Sequence, residues 1–170
     1  MNKRLWYCGM GVLTVLLVAL DQWTKMLAVR VLYDAPDVVL IPQVLQFHYL
    51  QNTGAAFSLL KGQSIVFFVL TPVLCAGILY VFFRTPVVKR FYPVHICCAF
   101  LLAGAIGNYI DRVSIGSVTD FIYFSLIDFP VFNVADIYVT CAMIVLVVLM
   151  LFVYKEDDFE QVFPKGRDRI

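Results

Sequence analysis

Two aspartates bracket one short segment of this chain. Asp120 lies in Gly116-Ser117-Val118-Thr119-Asp120-Phe121, and Asp136 lies in Phe132-Asn133-Val134-Ala135-Asp136, directly before an apolar run. Two carboxyls held close together cannot both ionise readily, so one keeps a proton that the other lacks. Such a pair supplies a base to activate water and an acid for a leaving amine. Each residue also has a plainer reading. Asp is a favoured helix N-cap, and the run beginning at Ile137 gives Asp136 a helix to cap, whose N-terminus would stabilise the ionised carboxylate. Asp120 reads as a turn residue after Gly116. The roles are compatible, since a capping Asp held ionised could pair with a second Asp that keeps its proton.

Further polar groups sit where apolar segments make them costly. A charged residue at the centre of a membrane helix costs about 2.5–3.5 kcal/mol on insertion scales, so each one marks a question about function. Asp21 and Lys25 are spaced i,i+4 and share a helix face, either as a pair at the end of a first helix or as a brace for a polar site. In Gly104-Ala105-Ile106-Gly107-Asn108-Tyr109-Ile110-Asp111-Arg112 the small residues permit close helix packing. Asn108 and Arg112 share one face there. Arg112 could hold a carboxylate, or a substrate carbonyl or phosphate, or it could be an interfacial cation beside its neighbouring anion Asp111.

The elements that must position these groups follow from composition. Of 170 residues, 62% are apolar and 15% charged, against about 45–50% and about 25% in soluble domains. That balance indicates an integral membrane protein, expected as a single domain over 1–170. Spans are expected at about 5–27, 65–83, 94–110 and 137–154, each near the roughly 20 residues that a bilayer needs. The first run meets Asp21-Gln22-Trp23-Thr24-Lys25 instead of a small-residue cleavage site, so it reads as a retained helix. Lys3, Arg4, Arg84, Lys89, Arg90, Lys155, Lys165, Arg167 and Arg169 cluster in alternate connections, whereas 31–64 carries only Lys61 and 113–136 carries no Lys or Arg. The positive-inside rule then puts both termini, with the tail 155–170, in the cytoplasm and both aspartates on the outer side. The tail, including Glu156-Asp157-Asp158, reads as mobile and solvated.

The first outer segment alternates Leu45, Phe47 and Tyr49 with Gln46 and His48, a period of two that indicates a half-buried strand. Gln51-Asn52-Thr53-Gly54 reads as a turn, followed by Ala55-Ala56-Phe57-Ser58. A small β-rich layer on the outer face is expected, either a substrate cradle or an ordinary hairpin. The second outer segment, 116–132, is too apolar for a freely solvated loop and reads as an interfacial loop or lid.

Several chemistries find no support. The net charge of +1 comes without a basic stripe, which gives no reason to expect a nucleic-acid partner. The five cysteines, Cys8, Cys75, Cys97, Cys98 and Cys141, show no disulfide framework or metal spacing. There is no His-Glu-x-x-His motif or glycine-rich phosphate loop. His95 falls at the other end of its span from the aspartates. No metal or cofactor is expected. A small transporter or proton relay remains a competing class, because intramembrane acids also mark ion pathways; against it, the chain lacks paired repeats. A non-enzymatic assembly factor is a third class.

Five blocks in order, Asp21–Lys25, Gln51–Phe57, Gly104–Arg112, Gly116–Phe121 and Phe132–Asp136, together resemble the bacterial lipoprotein signal peptidases, the signal peptidase II family. The resemblance implies an all-α membrane fold of four transmembrane helices with a small extracytoplasmic β-rich cradle. It implies an aspartyl endopeptidase that removes signal peptides from prolipoproteins, cleaving just before a diacylglyceryl-modified cysteine. Asp120 and Asp136 match the catalytic pair. Asn52, Gly54, Asn108, Arg112 and Asn133 match substrate-binding or site-supporting positions, as do Asp21 and Lys25. Asp111 is the main rival to Asp120, but its place beside Arg112 suits an ion pair better. The sequence departs from the pattern at Ile137-Tyr138, where many members carry a small hydroxyl residue. The implied partners are lipidated prolipoproteins, membrane lipid and peptide-like inhibitors such as globomycin. The implied location is the bacterial inner membrane, and a monomer is expected.

Overall fold

A computed structural model describes residues 2–54 and 64–164. The Ala55–Ser58 stretch, Lys61 and the tail cations Lys165, Arg167 and Arg169 lie outside the described residues. Four helices are long and apolar enough to cross a membrane. They are α1 (Lys3–Leu32), α2 (Ser64–Arg84), α3 (Tyr92–Ile115) and α4 (Val134–Val148), the last running on through a π-helical turn at Leu149–Val153. All extend past their apolar cores. Asp21 and Lys25 therefore lie within α1, well before its end at Leu32.

α3 is the hub, with α1, α2 and α4 all packed against it. Its glycines set how closely the others approach. A Cβ built on Gly104 would lie 2.6 Å from both the Ala135 carbonyl oxygen and a Val139 methyl of α4, and one built on Gly107 would strike the Asp21 carboxylate of α1. Without side chains here, backbones come close enough for polar groups on three helices to meet, which is how helices associate where lipid removes any hydrophobic drive.

At one end of the bundle lies a three-stranded antiparallel sheet in the order β1 (Val38–Ile41), β2 (Leu45–Asn52), β3 (Val118–Tyr123). The strand expected from the alternation at Leu45, Phe47 and Tyr49 is present as β2, which runs on to Asn52. Gln51 and Asn52 belong to β2 instead of a turn, because they pair with Thr119 and Val118. Asp120 is likewise a strand residue opposite Leu50, and the turn expected at that position falls earlier, where Gly116 caps α3 at φ 75°. Phe121 packs with Ala28 and Leu32 of α1, joined by Phe47, Tyr49 and Val134. That cluster fastens the sheet to the bundle. After β3 the chain makes a 3-10 turn at Ser125–Ile127, leaving Leu126 and Ile127 exposed, and returns through a bridge between Ile122 and Phe132. The second outer segment is thus partly a strand and partly an apolar loop.

The tail differs from the solvated end expected. Glu156–Val162 forms a helix, α5. Arg90 donates to both oxygens of the buried Asp158, through Nε at 2.5 Å and Nη2 at 2.6 Å, and also to the Val153 carbonyl at 2.9 Å. This fork holds the Asp158 carboxyl down at about 2, below its ordinary range. A bidentate guanidinium contact of this kind provides geometric specificity as well as energy.

Gly104→Val is expected to force α4 off α3, at a cost of about 1–3 kcal/mol for overpacking. Thermal denaturation in detergent micelles checks this, and a midpoint equal to wild type would contradict the close approach.

Candidate active site

The polar residues singled out by spacing converge where α1, α3, the N-terminus of α4 and the sheet meet. At the base is the Lys25 ammonium. It lies 3.0 Å from Asp21 Oδ2, 3.1 Å from Asp111 Oδ2 and 2.8 Å from Asn108 Oδ1. Lys25 is 3% exposed and Asp21 is 0% exposed, so a charge in this place must be paired and hydrogen-bonded to be tolerated. The other carboxylate atoms are also satisfied. Asp21 Oδ1 accepts from the Ala135 backbone N–H at 3.0 Å, Asp111 Oδ1 accepts from Gln22 Nε2, and Asp111 Oδ2 accepts in addition from the Thr119 N–H at 3.0 Å. Gln22 Nε2 donates to Asp21, to Asp111 and to the Gly107 carbonyl at 3.2, 2.9 and 3.1 Å.

This base orients the asparagines above it. An ammonium can only donate, so Asn108 turns its oxygen to Lys25. Its amide nitrogen is then left to donate to Asp136 Oδ1 at 2.9 Å. Asn133 is fixed in the same way. Its Oδ1 accepts from the Asp136 backbone N–H at 3.1 Å, and its Nδ2 donates to Asn108 Oδ1 at 3.1 Å and to Asp120 Oδ1 at 2.6 Å. Asp136 Oδ2 accepts in return from the Asn133 backbone N–H at 3.1 Å.

The reciprocal bonds between Asn133 and Asp136 are a capping box. The N-cap of α4 is therefore Asn133, and Asp136 sits in the first turn, which corrects the reading of Asp136 as the cap. The reason is local: Asn133-Val134-Ala135-Asp136 has the cap-x-x-acid spacing, so the helix starts one turn before its apolar run.

Asp120 arrives from β3. Asn52, its diagonal neighbour across the strand pair, donates to Asp120 Oδ2 at 2.9 Å, and Gly54 N–H donates back to Asn52 Oδ1 at 3.0 Å. Asp120 is 2% exposed. Burial pushes its carboxyl up to about 6, with the Asp136 charge adding to the rise and the bonds from Asn52 and Asn133 and the Lys25 charge opposing it. The two aspartates are thus linked through one side chain, Asn133.

Asp111 does take part in an ion pair, but its partner is Lys25 and not the adjacent Arg112. Neighbours on a helix point in different directions, and only the i,i+3 and i,i+4 spacings face each other. Arg112 forms no ion pair among the described residues. Its Nη1 donates to the Asn108 carbonyl at 3.3 Å, and its guanidinium lies 4.4 Å over the Phe67 ring. Among the described residues it makes no other side-chain hydrogen bond, and the charges of Asp136, Asp120 and Asp111 all act on it. Gln22 and the Thr119 backbone were not singled out from spacing. A neutral amide in an apolar run was the available signal for Gln22, and nothing local signalled Thr119. Among the described residues no group of His, Cys, Asp and Glu side chains could hold a metal.

A family profile described as signal peptidase (SPase) II matches residues 13–152. The lipoprotein signal peptidase of Enterococcus faecalis is 40% identical over 142 residues, covering 84% of each chain. That of Geobacillus thermodenitrificans is 39% identical over 82% of this chain and 88% of its own. Two solved structures described as bacterial membrane enzymes are similar in fold: one has TM-score 0.75 and 31% identity over 84% of this chain and 87% of its own, the other TM-score 0.73 and 30% identity over 86% and 94%.

Lys25→Met would leave Asp21 and Asp111 buried without a counter-charge, and is expected to cost about 3–5 kcal/mol. Chemical denaturation in micelles measures this. An unchanged midpoint would show that the ammonium is not what holds α1 to α3.

Proposed function

The chain belongs to the signal peptidase II family, and on that premise we propose that it is an aspartic endopeptidase, one membrane-embedded unit over 1–170, that cleaves prolipoproteins just before the lipidated cysteine. The observation that carries the reading is the linkage of Asp120 and Asp136 through Asn133, in a site whose other charged groups are already paired or lack acid–base function at neutral pH. The positive-inside pattern supports cytoplasmic termini, an inner-membrane location and a site near the outer face. There, acyl chains can remain in lipid while the peptide enters from the side. The protein acts as a monomer. Globomycin, a peptide-like inhibitor, would occupy the same site.

In the mechanism, Asp120 holds the proton, in keeping with its buried, raised carboxyl. Asp136 serves as the base. Asp136 takes a proton from water as the water oxygen bonds to the scissile carbonyl carbon. Asp120 gives its proton to the carbonyl oxygen, forming a tetrahedral diol. As the C–N bond breaks, Asp136 passes its proton to the leaving nitrogen, and Asp120 recovers one from the diol hydroxyl. Atoms and charges balance, and the pair returns to its starting state. Arg112 binds a backbone carbonyl of the substrate. Asn52, Asn108 and Asn133 hold the carboxyls at fixed orientation, with Asp21, Lys25 and Asp111 bracing them from below and Gly54 fixing Asn52.

Asp120→Asn and Asp136→Asn are each expected to leave an inserted, folded protein whose cleavage of a diacylglyceryl-prolipoprotein falls by at least about 10²-fold, the scale of general acid–base catalysis. Normal processing by either variant would sink the assignment, and proton-coupled flux without cleavage would favour a transporter.

The pH profile provides a second check. If protonated Asp120 is required, kcat/KM for the free enzyme falls as pH rises through about 6, where that carboxyl loses its proton. A rate that rises through this range would assign the proton elsewhere.

A further inference from the structure

Arg112 stands among carboxylates without closing on one. The charges of Asp136, Asp120 and Asp111 all act on it, yet it pairs with none of them among the described residues. A guanidinium beside a carboxylate ordinarily closes a bidentate fork, and this chain does so elsewhere. Arg90 donates through two nitrogens to Asp158 and holds that carboxyl down at about 2. A fork of that kind on Asp120 or Asp136 would favour the ionised form. It would take the proton from the acid, or spend the lone pairs that the base needs.

The cation is held from another side. Its guanidinium carbon lies 4.4 Å over the ring of Phe67 on α2, and Nη1 donates along its own helix to the Asn108 carbonyl at 3.3 Å. An aromatic face attracts a cation through the ring quadrupole, and the planar, weakly hydrated guanidinium suits such a face better than an ammonium does. The ring draws in the charge without supplying an oxygen, so the other N–H donors are not spent on it. α2 carries no charged residue before Arg84 at its far end, so what this helix brings to Arg112 is a ring. The next residue, Phe68, makes a different contact. Its ring meets that of Tyr109 edge-on at 6.0 Å. Two neighbouring rings of α2 thus rest on α3, and one of them carries the cation.

We propose that Phe67 is a positioning residue for catalysis: its ring holds the Arg112 guanidinium off Asp120 and Asp136, so that the cation meets the substrate carbonyl and the two carboxyls keep their separate roles. The proposal rests on the peptidase reading above. It gives α2, which supplies no acid or base, a part in the reaction.

The test uses the full chain in lipid nanodiscs, a diacylglyceryl-prolipoprotein and three variants. Phe67→Leu keeps apolar bulk but removes the ring face. Phe67→Tyr keeps the face. Phe68→Leu removes the neighbouring ring, which holds no cation. Phe67→Leu is expected to lose about tenfold in kcat/KM, the scale of a partly desolvated cation–π contact, through a raised KM. Its activity is also expected to fall away at a pH below the value of about 6 at which Asp120 loses its proton in the wild type. The sign follows because a cation that settles beside a carboxyl favours the ionised form. The other charges acting on Asp120, Asp136 of α4 and Lys25 of α1, are the same in every variant. Phe67→Tyr is expected to restore both the KM and the pH profile, and Phe68→Leu to shift neither. NMR titration of isotope-labelled aspartate carboxyls, without substrate, reads the same shift directly. An unshifted Asp120 carboxyl in Phe67→Leu would overturn the role of the ring. So would equal losses in Phe67→Leu and Phe68→Leu, or no rescue by Phe67→Tyr. Failure of the wild type to cleave would strike the peptidase reading instead, and the carboxyl titration would still decide whether the ring holds Arg112 off the pair.

Discussion

The Lys25 ammonium organises everything above it. Taking a charge out of water costs several kcal/mol even after relaxation, and this one is retained because three helices contribute to its surroundings. Asp21 comes from its own helix α1, Asp111 and Asn108 from α3, and the N-terminus of α4 closes the far side through Ala135 N–H on Asp21. Two carboxylates against one cation leave a negative excess. Neutral donors, the Gln22 amide and the Thr119 and Ala135 N–H groups, absorb it. A donor-only group at the bottom of the stack then dictates the direction of the Asn108 amide and, through it, supports that of Asn133. Asn108 must present its nitrogen to Asp136, and Asn133 must present its nitrogen to Asp120. The polarity of the site is set by a residue that touches neither aspartate.

The two aspartates rest on different foundations. Asp136 is on the first turn of a spanning helix and is held by a capping box. Asp120 is on a strand that reaches the bundle through the Phe121 cluster and the Thr119–Asp111 bond. Their surroundings therefore differ even though the side chains are the same. Burial dominates at Asp120 and raises its carboxyl, whereas Asp136 is tied into the capping box of α4. An unequal pair of this sort is what acid–base division of labour requires.

Much of this was legible in the sequence, and the failures have physical reasons. Four apolar runs specified four helices, and alternation at Leu45–Tyr49 specified β2. β3 was missed because it is buried on both sides, with Asp120 facing the site and Phe121 facing α1, so no polar–apolar alternation is left to read. The α4 cap was placed one turn late because hydropathy marks the lipid-facing part of a helix, while Asn133–Asp136 is the polar turn before it. The Lys25–Asp111 contact joins residues far apart in the chain, and adjacency to Arg112 suggested the wrong partner. The helix at Glu156–Val162 was hidden by its charges, because a single guanidinium fork at Arg90 converts one of them into a buried anchor.

The i,i+4 spacing of Asp21 and Lys25 has a consequence for how the chain is made. α1 is synthesised first, long before α3 can bring Asp111 and Asn108 or α4 can bring the Ala135 N–H. A lone ion in that helix would enter the bilayer unescorted. Because the counter-ion sits one turn away on the same helix, the segment carries a self-neutralised pair through insertion. It exchanges that provisional partnership for a shared one only when the later helices arrive. Asp111 finds its ion-pair partner on the first helix, so docking on that helix is what settles the third one's buried charge. The order of residues along the chain thereby sets an order of assembly, in which the polar centre of the finished protein serves as the receptor for its own later segments.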